Sequence, residues 1–220
     1  MKRVLFLFIL AALTCTVGVG CTQQRAVHLV KADGDRAFEN RQYESAAVYY
    51  AEVVDRRPGD WQAQYQYGLT LLELDQPNDA RRALEIAAAH RPGDRSIRRA
   101  LARAMYEQGA TNDLFAFLRQ EAAETRDPNA YLELARYSME LGDMDAANQA
   151  ILTAIEFDGG KSVEPYLVAA EFHAALGHTD QATRRLRQAY GIDRTNPRVT
   201  ALLREYGEVP GPTLALPPGR

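Results

Sequence analysis

The stretch WQAQYQYGLTLLELDQPNDARRALEIAAAHRPGD, residues 61–94, decides the fold because the rest of the chain repeats its pattern. In this stretch Gly68 is followed by two small residues, Ala80 and Ala87, with the large apolar Leu84 between them. Two antiparallel helices approach closely only where side chains are small, and large apolar residues fill the space that remains. The stretch therefore predicts one helix–turn–helix unit.

The same four positions recur in five consecutive units, at intervals of 33 to 35 residues. Most members of the first, second and fourth columns are small, and the third column holds larger apolar residues. The columns read Gly34, Gly68, Ala102, Ala135, Ala170; Ala46, Ala80, Leu114, Ala147, Ala182; Tyr50, Leu84, Leu118, Ile151, Leu186; and Val53, Ala87, Glu121, Ala154, Ala189. One helix pair cannot bury its own apolar face, so we expect the units to stack.

These spacings resemble the tetratricopeptide repeat family. The resemblance implies an all-α, right-handed α-solenoid of about five helix–turn–helix units across residues 27–206. The units are expected to start near residues 27, 61, 95, 128 and 163, and a capping helix over residues 197–206 should cover the end of the stack.

The third unit is the least regular of the five. Leu114 and Glu121 stand there in two columns that are otherwise small, so we expect wider or shifted packing at this unit.

Residues 1–20 are predicted to be a signal peptide that does not belong to the fold. Lys2 and Arg3 give it a positive start, and the apolar run over residues 4–13 is too short to span a bilayer comfortably. Removing this segment takes away two basic residues and no acidic ones, so the formal net charge changes from −3 to −5. A mildly acidic chain of this kind gives no basis for binding nucleic acid.

The small residues 17–20 before Cys21 resemble a bacterial lipobox, in which the cysteine is lipidated. Cys21 would be the only cysteine of the mature chain, and an unpaired exported thiol is explained by lipidation. Residues 21–26 would then form a lipidated tether. Cys15 is a weaker alternative site, and an ordinary secretory signal with an incidental cysteine is a second alternative.

The last segment, residues 207–220, differs in composition from the repeats. It contains four prolines and few charged residues. This composition predicts a disordered, proline-rich tail.

No catalytic, cofactor or metal constellation stands out in the sequence. His173 and His178 are five residues apart and do not share a helical face. The Gly-Lys-Ser at residues 160–162 lacks the first glycine of a phosphate-binding loop and has no strand before it. We therefore expect no enzyme activity, no cofactor and no metal site.

The resemblance implies that the first helix of each unit lines a concave groove that binds extended or helical peptide segments. The groove residues that it indicates are Tyr65, Leu69, Leu72, Arg99, Arg103, Tyr106, Arg136 and Met139. The pairs Arg103–Glu107 and Arg136–Glu140 are spaced for ion pairs within their helices. The alternative is a groove without a special role, with binding on the convex side.

The sequence predicts a membrane-anchored scaffold that binds cell-envelope proteins. Thr22 after Cys21 resembles the sorting pattern of outer-membrane lipoproteins, so the protein should face the periplasm from that membrane. The architecture is similar to tetratricopeptide lipoproteins of pilus assembly and secretin placement. A general adaptor in outer-membrane biogenesis, a self-assembling structural lipoprotein and an enzyme with an unrecognised site are the alternatives. The sequence leaves the oligomeric state open.

Overall fold

The computed structural model describes residues 24–219, and this part of the chain forms eleven α-helices and no strands. The helices are α1 Val27–Glu39, α2 Tyr43–Arg56, α3 Trp61–Glu73, α4 Pro77–His90, α5 Arg95–Glu107, α6 Thr111–Thr125, α7 Pro128–Glu140, α8 Met144–Asp158, α9 Glu164–Ala175, α10 Thr179–Ile192 and α11 Pro197–Glu205. The first ten pack as five consecutive pairs, and α11 packs against α10 at the end of the stack. The predicted all-α solenoid with a capping helix is confirmed. The predicted signal peptide and Cys21 lie outside the described residues.

Side-chain caps fix where several helices begin. Asp60 accepts a hydrogen bond from the Ala63 N–H at 3.1 Å, and Asp94 accepts one from the Ser96 N–H at 2.9 Å. The same kind of contact begins α7, where Asp127 accepts from a backbone N–H. Each cap satisfies an N–H group that has no partner within the helix and stabilises the helix by about 1 kcal/mol.

Each helix pair turns through one residue in the left-handed conformation. The five turn residues are Arg41, Asp75, Gly109, Gly142 and Gly177, with φ between 55° and 81°. Glycine adopts this conformation at no steric cost, whereas a residue with a Cβ is strained there. The first two turns therefore carry backbone strain, because Arg41 and Asp75 each have a Cβ.

The four columns of the repeat are all buried, which explains their residue types. At Gly68 an added Cβ would lie 2.5 Å from Cγ of Leu84, so α3 and α4 could not pack this closely with a larger residue there. Tyr50, Leu84, Leu118, Ile151 and Leu186 fill the space between the paired helices.

The third unit departs from the others as the sequence predicts. Helices α5 and α6 pack along less of their length than the other four pairs do. Glu121 is buried at the column position where other units carry alanine or valine, and its Oε1 lies 2.7 Å from Nε of Arg98. The Nε–H of Arg98 does not point at this oxygen, so the contact is an ion pair without a hydrogen bond. The Arg98 guanidinium also lies over the ring of Phe117, 4.8 Å from its centroid.

The helices form two rows. The odd-numbered helices form the inner row, in which α1 contacts α3, α3 contacts α5 and α7 contacts α9. The even-numbered helices pack onto this row and form the outer one. Among α1, α3, α5, α7 and α9, which form the inner row up to the capping helix, neighbours pack least closely at α5 and α7, next to the irregular pair. No helix within residues 24–219 is long and apolar enough to cross a membrane.

The C-terminal segment differs from the predicted disordered tail. Residues 214–219 lie against α10, the Leu216 N–H donates to the Arg187 carbonyl at 3.0 Å, and Leu214 is buried. Composition suggested disorder because the segment is rich in proline. The contacts that hold the segment come from residues about 25 to 35 positions earlier in the chain. Local composition cannot reveal contacts between residues so far apart in the sequence.

Candidate partner-binding face

The inner face carries most of the predicted groove residues. We use this name for the surface formed by α1, α3, α5, α7 and α9. Seven of the eight predicted residues are exposed or partly exposed on these helices: Tyr65, Leu69, Arg99, Arg103, Tyr106, Arg136 and Met139. Leu72 is the exception, because it is only 3% exposed and belongs to the main apolar core. Burying a leucine side chain stabilises the fold by about 1.5–3 kcal/mol, so Leu72 is a core residue and offers no surface to a partner.

A first cleft opens near the N-terminal end of the inner face, where α1, α3 and the start of α5 meet. Its volume is about 350 Å³, and Lys31, Trp61, Tyr65 and Ser96 contribute to its lining. The pKa of the Tyr65 hydroxyl is raised, mainly by burial and also by the negative charge of Asp94. Tyr65 therefore presents a neutral hydroxyl and an apolar ring to this cleft.

Two further clefts adjoin each other across the gap between α5 and α7. One has a volume of about 490 Å³ and is lined by residues of α5, α7 and α9, among them Arg136 and Tyr137. The other has a volume of about 500 Å³ and extends toward α6 and the loops before α5 and α7. The two share Arg99, Asn129 and Glu133. Together they form one open channel, which we call the α5–α7 channel.

Two of the predicted groove arginines are held by carboxylates of the chain itself. Arg103 on α5 contacts Glu73 on α3 at 2.9 Å and Glu107 on its own helix at 2.7 Å. Arg136 on α7 pairs with Glu164 on α9. The Arg103–Glu73 and Arg136–Glu164 pairs link neighbouring units, so both arginines stabilise the packing between units and also contribute to the surface.

The predicted Arg136–Glu140 pair is absent from the ion pairs of the described residues, because Arg136 turns to Glu164. Glu140 instead accepts a hydrogen bond from the Tyr106 hydroxyl at 2.9 Å. Spacing within one helix could not reveal these partners, since each comes from a neighbouring unit.

Arg99 is the most exposed of the predicted groove arginines. Its side chain is 76% exposed, and its Nε lies 3.8 Å from the nearest oxygen of Glu133. Burial raises the pKa of the Glu133 carboxyl, although the positive charge of Arg99 opposes this. A guanidinium with one distant carboxylate keeps most of its donors available for a ligand.

Tyr137 lines the channel together with Arg99, and it packs against Tyr106. The rings of Tyr106 and Tyr137 lie 5.3 Å apart. Burial, together with nearby carboxylates such as Glu133, raises the pKa of Tyr137 to about 12. Tyrosine and arginine carry much of the binding energy in protein interfaces when a partner removes them from water. Tyr137 and Glu133 were not among the predicted groove residues. Both come from α7, and they reach the channel because α5 and α7 are separated.

The Gly-Lys-Ser motif noted in the sequence has a structural role. In the Gly-Lys-Ser loop, the backbone N–H groups of Lys161 and Ser162 donate to the Asp158 carboxylate at 2.8 Å and 2.9 Å, which closes the loop after α8. The rings of His173 and His178 are 6.3 Å apart. Across residues 24–219 there is no group of three or more side chains placed to hold a metal ion.

Two sequence models of the tetratricopeptide repeat match the chain, one over residues 37–104 and one over residues 128–160. The chain belongs to the tetratricopeptide repeat (TPR) family. The family indicated by the residue columns is therefore confirmed. The region between the two matches contains α6, the irregular helix of the third TPR unit. No curated protein matches the chain in sequence.

Solved TPR structures share this fold at low sequence identity. A MamA protein superposes with a TM-score of 0.59 at 18% identity, over 84% of this chain and 98% of that one. The thermophilic TPR protein TTC0263 of Thermus thermophilus gives 0.54 at 17% identity, over 82% and 98% of the two chains. YrrB, described as a TPR protein with an unusual peptide-binding site, gives 0.51 at 14% identity, over 82% and 92%.

Proposed function

We propose that this TPR protein is a non-catalytic adaptor whose inner face binds an extended or helical segment of a partner protein. The observation that carries the proposal is the α5–α7 channel, where exposed Arg99 lies beside Tyr137 and the half-buried Glu133. The peptide-binding site named for YrrB is a precedent on the same fold.

The chemistry of the channel favours a polypeptide over a small substrate. The cleft is open on one side and its Arg136 is already paired with Glu164, whereas a small-molecule site encloses its ligand. Arginine and tyrosine along an open channel suit a segment that offers carboxylates or backbone carbonyls together with apolar side chains. Arg99 is the cation of the channel with most donors available, so we expect the partner segment to place a carboxylate or a backbone carbonyl against it.

Arg99→Glu is the sharpest substitution for testing this proposal. The side chain is exposed, so reversal of its charge should change the free energy of unfolding by less than about 1 kcal/mol. Arg103→Glu is less suitable, because it would place three carboxylates together with Glu73 and Glu107. Arg82→Glu on α4 is the matched control, since that arginine is 74% exposed and belongs to the outer row.

The measurement is capture of partners by the purified protein from a detergent-solubilised envelope fraction. Arg99→Glu should reduce capture at least tenfold, and Arg82→Glu should leave it near the wild-type level. Undiminished capture by the Arg99→Glu variant would place the binding site elsewhere on the solenoid.

We further propose that the adaptor is anchored by lipid on Cys21 and faces the periplasm from the outer membrane. Helix α1 begins at Val27, and the six intervening steps of an extended chain span no more than about 22 Å. The first TPR unit would thus stay close to the bilayer surface, and the inner face would meet segments of other envelope proteins. Cys21→Ala should leave an unprocessed precursor without lipid, whereas Cys15→Ala should be processed normally. Equal lipid labelling of both variants would refute the anchor.

Pilus or secretion-machine assembly is the narrower role that we propose within this function. General outer-membrane biogenesis is the second candidate. The identity of the protein captured through Arg99 decides between them.

A further inference from the structure

A second surface that contacts a peptide segment lies on the outer row, at α10, whereas the α5–α7 channel lies on the inner face. Its ligand in the structure is the chain's own C-terminal segment TLALPPG, residues 213–219. The Leu216 N–H donates to the Arg187 carbonyl at 3.0 Å, and the Arg187 Nε donates to the Leu214 carbonyl at 2.9 Å. Leu214 is 8% exposed and joins the main apolar core. The segment is thus bound by backbone and side-chain contacts at once.

The proline-rich end of the segment is bound through its backbone carbonyl groups. Gln188 is 4% exposed, and its Nε2 donates to the carbonyls of Pro217 and Gly219 at 3.3 Å and 3.2 Å. Arg185 also donates to the Gly219 carbonyl, at 3.1 Å. A buried amide is costly without partners, so the tail carbonyls pair the Gln188 amide in the position where docking covers it.

Two glycines allow the segment to approach α10 and the α8–α9 loop closely. A Cβ on Gly191, in the last turn of α10, would lie 2.0 Å from the Leu216 carbonyl oxygen. A Cβ on Gly160, in the loop between α8 and α9, would lie 2.8 Å from side-chain atoms of Pro218. Glycine in a helix is less stable than alanine by up to about 1 kcal/mol, so α10 carries a local cost where the tail approaches most closely.

We infer that α10 and the α8–α9 loop form a second peptide-binding site, distinct from the inner face, of which residues 213–219 are the internal ligand. The site recognises an extended segment with a leucine that enters the core, an N–H two residues later, and a Pro-Pro-Gly step in which the carbonyls of the first proline and of the glycine accept hydrogen bonds. Prolines restrict the unbound segment, so less conformational entropy is lost on binding. A partner that carries a Leu-x-Leu-Pro-Pro segment competes with the tail and releases it.

The test uses the full chain and a fluorescent peptide with the sequence of residues 211–219. In Leu214→Asp the tail cannot enter the core, so the site is left open for the peptide. In Leu214→Asp with Gly191→Ala the site is closed by the new Cβ. Gly211→Ala is the glycine control, because a Cβ there meets only one atom, at 3.8 Å.

The tail acts at an effective concentration of the order of millimolar, as segments on short linkers do. A tail that is docked in about nine molecules of ten then corresponds to a peptide Kd of about 0.1 mM on the open site. Fluorescence anisotropy should give this affinity for Leu214→Asp, at least tenfold weaker binding for wild type and Gly211→Ala, and none for the double variant.

Hydrogen exchange supplies a second readout. The Leu216 amide should be protected in wild type and unprotected in Leu214→Asp, while the amides of α10 and α11 keep their protection. Leu216→Pro, which removes the N–H donated to Arg187, opens the site in a second way should Leu214→Asp fold poorly. Peptide binding that is equal for wild type and the opened variants, that survives in the double variant, or that is absent from all of them would overturn the inference. None of these results depends on the α5–α7 channel.

Discussion

Replacing Glu121 with alanine gives this column of the repeat the residue that three of the other units carry. The repeat pattern alone predicts that such a change is neutral or stabilising. The structure predicts the opposite, because Glu121 is the counter-charge of a largely buried arginine. The side chains of Glu121 and Arg98 are 11% and 18% exposed, and the charged atoms are 2.7 Å apart.

The expected size of the effect follows from this burial. Breaking a fully buried pair by removing one partner costs about 3–5 kcal/mol. Arg98 keeps some access to water and the face of Phe117, so we expect Glu121→Ala to lower the free energy of unfolding by about 2–3 kcal/mol. For a chain of this size, a loss of about 2 kcal/mol lowers Tm by about 4–8 °C.

The assay is urea unfolding followed by circular dichroism, with Arg98→Leu/Glu121→Ala as the companion variant. The double variant replaces the ion pair with apolar groups, so it should recover at least half of the lost stability. Arg82→Ala, which breaks an exposed pair with Asp79, is the control and should cost less than about 1 kcal/mol. A Glu121→Ala variant as stable as wild type would refute the view that this pair holds the third unit together.

Two further predictions concern the turns and the channel. Asp75→Gly and Arg41→Gly should each raise the free energy of unfolding by about 1 kcal/mol in the same urea assay, because both residues have positive φ. An unchanged or lower urea midpoint would contradict backbone strain at these turns. Burial raises the pKa of Glu133, so its ionised form destabilises the fold, and wild type should lose stability relative to Glu133→Gln as pH rises from about 4.5 through the folded-state pKa. The difference in Tm between the two proteins, measured from about pH 4 to about pH 8, should grow with pH; a constant or shrinking difference would count against this.

The sequence predicted the parts of the fold that depend on contacts repeated in every unit. Small residues mark where paired helices meet, and this requirement returns every 33 to 35 residues, so Gly68 and Ala135 could be read without a structure. A helix cap such as Asp94 is equally local in the chain, because its carboxylate lies next to the N–H groups that it accepts from.

Features that depend on contacts between units, or on the one irregular unit, could not be predicted in this way. Burial of Leu72 and the pairing of Arg136 with Glu164 depend on how far each unit rotates against the next. The channel exists because α5 and α7 are separated at the irregular unit, and the columns indicated only that packing there would be wider. The docked tail was missed because Gly191 appears in the sequence as an ordinary helix glycine, and only the approach of Leu216 gives it a reason.

The most direct test of the proposed function is site-specific photo-crosslinking in the native envelope. A benzoylphenylalanine in place of Tyr65 lies in the first cleft of the inner face, and one in place of Val48, which is 68% exposed on α2, samples the outer row. We expect a discrete adduct from position 65 that weakens at least tenfold when Arg99→Glu is added, and none from position 48. Adducts from position 48 alone, or an adduct from position 65 that is indifferent to Arg99, would contradict binding of a partner segment along the inner face.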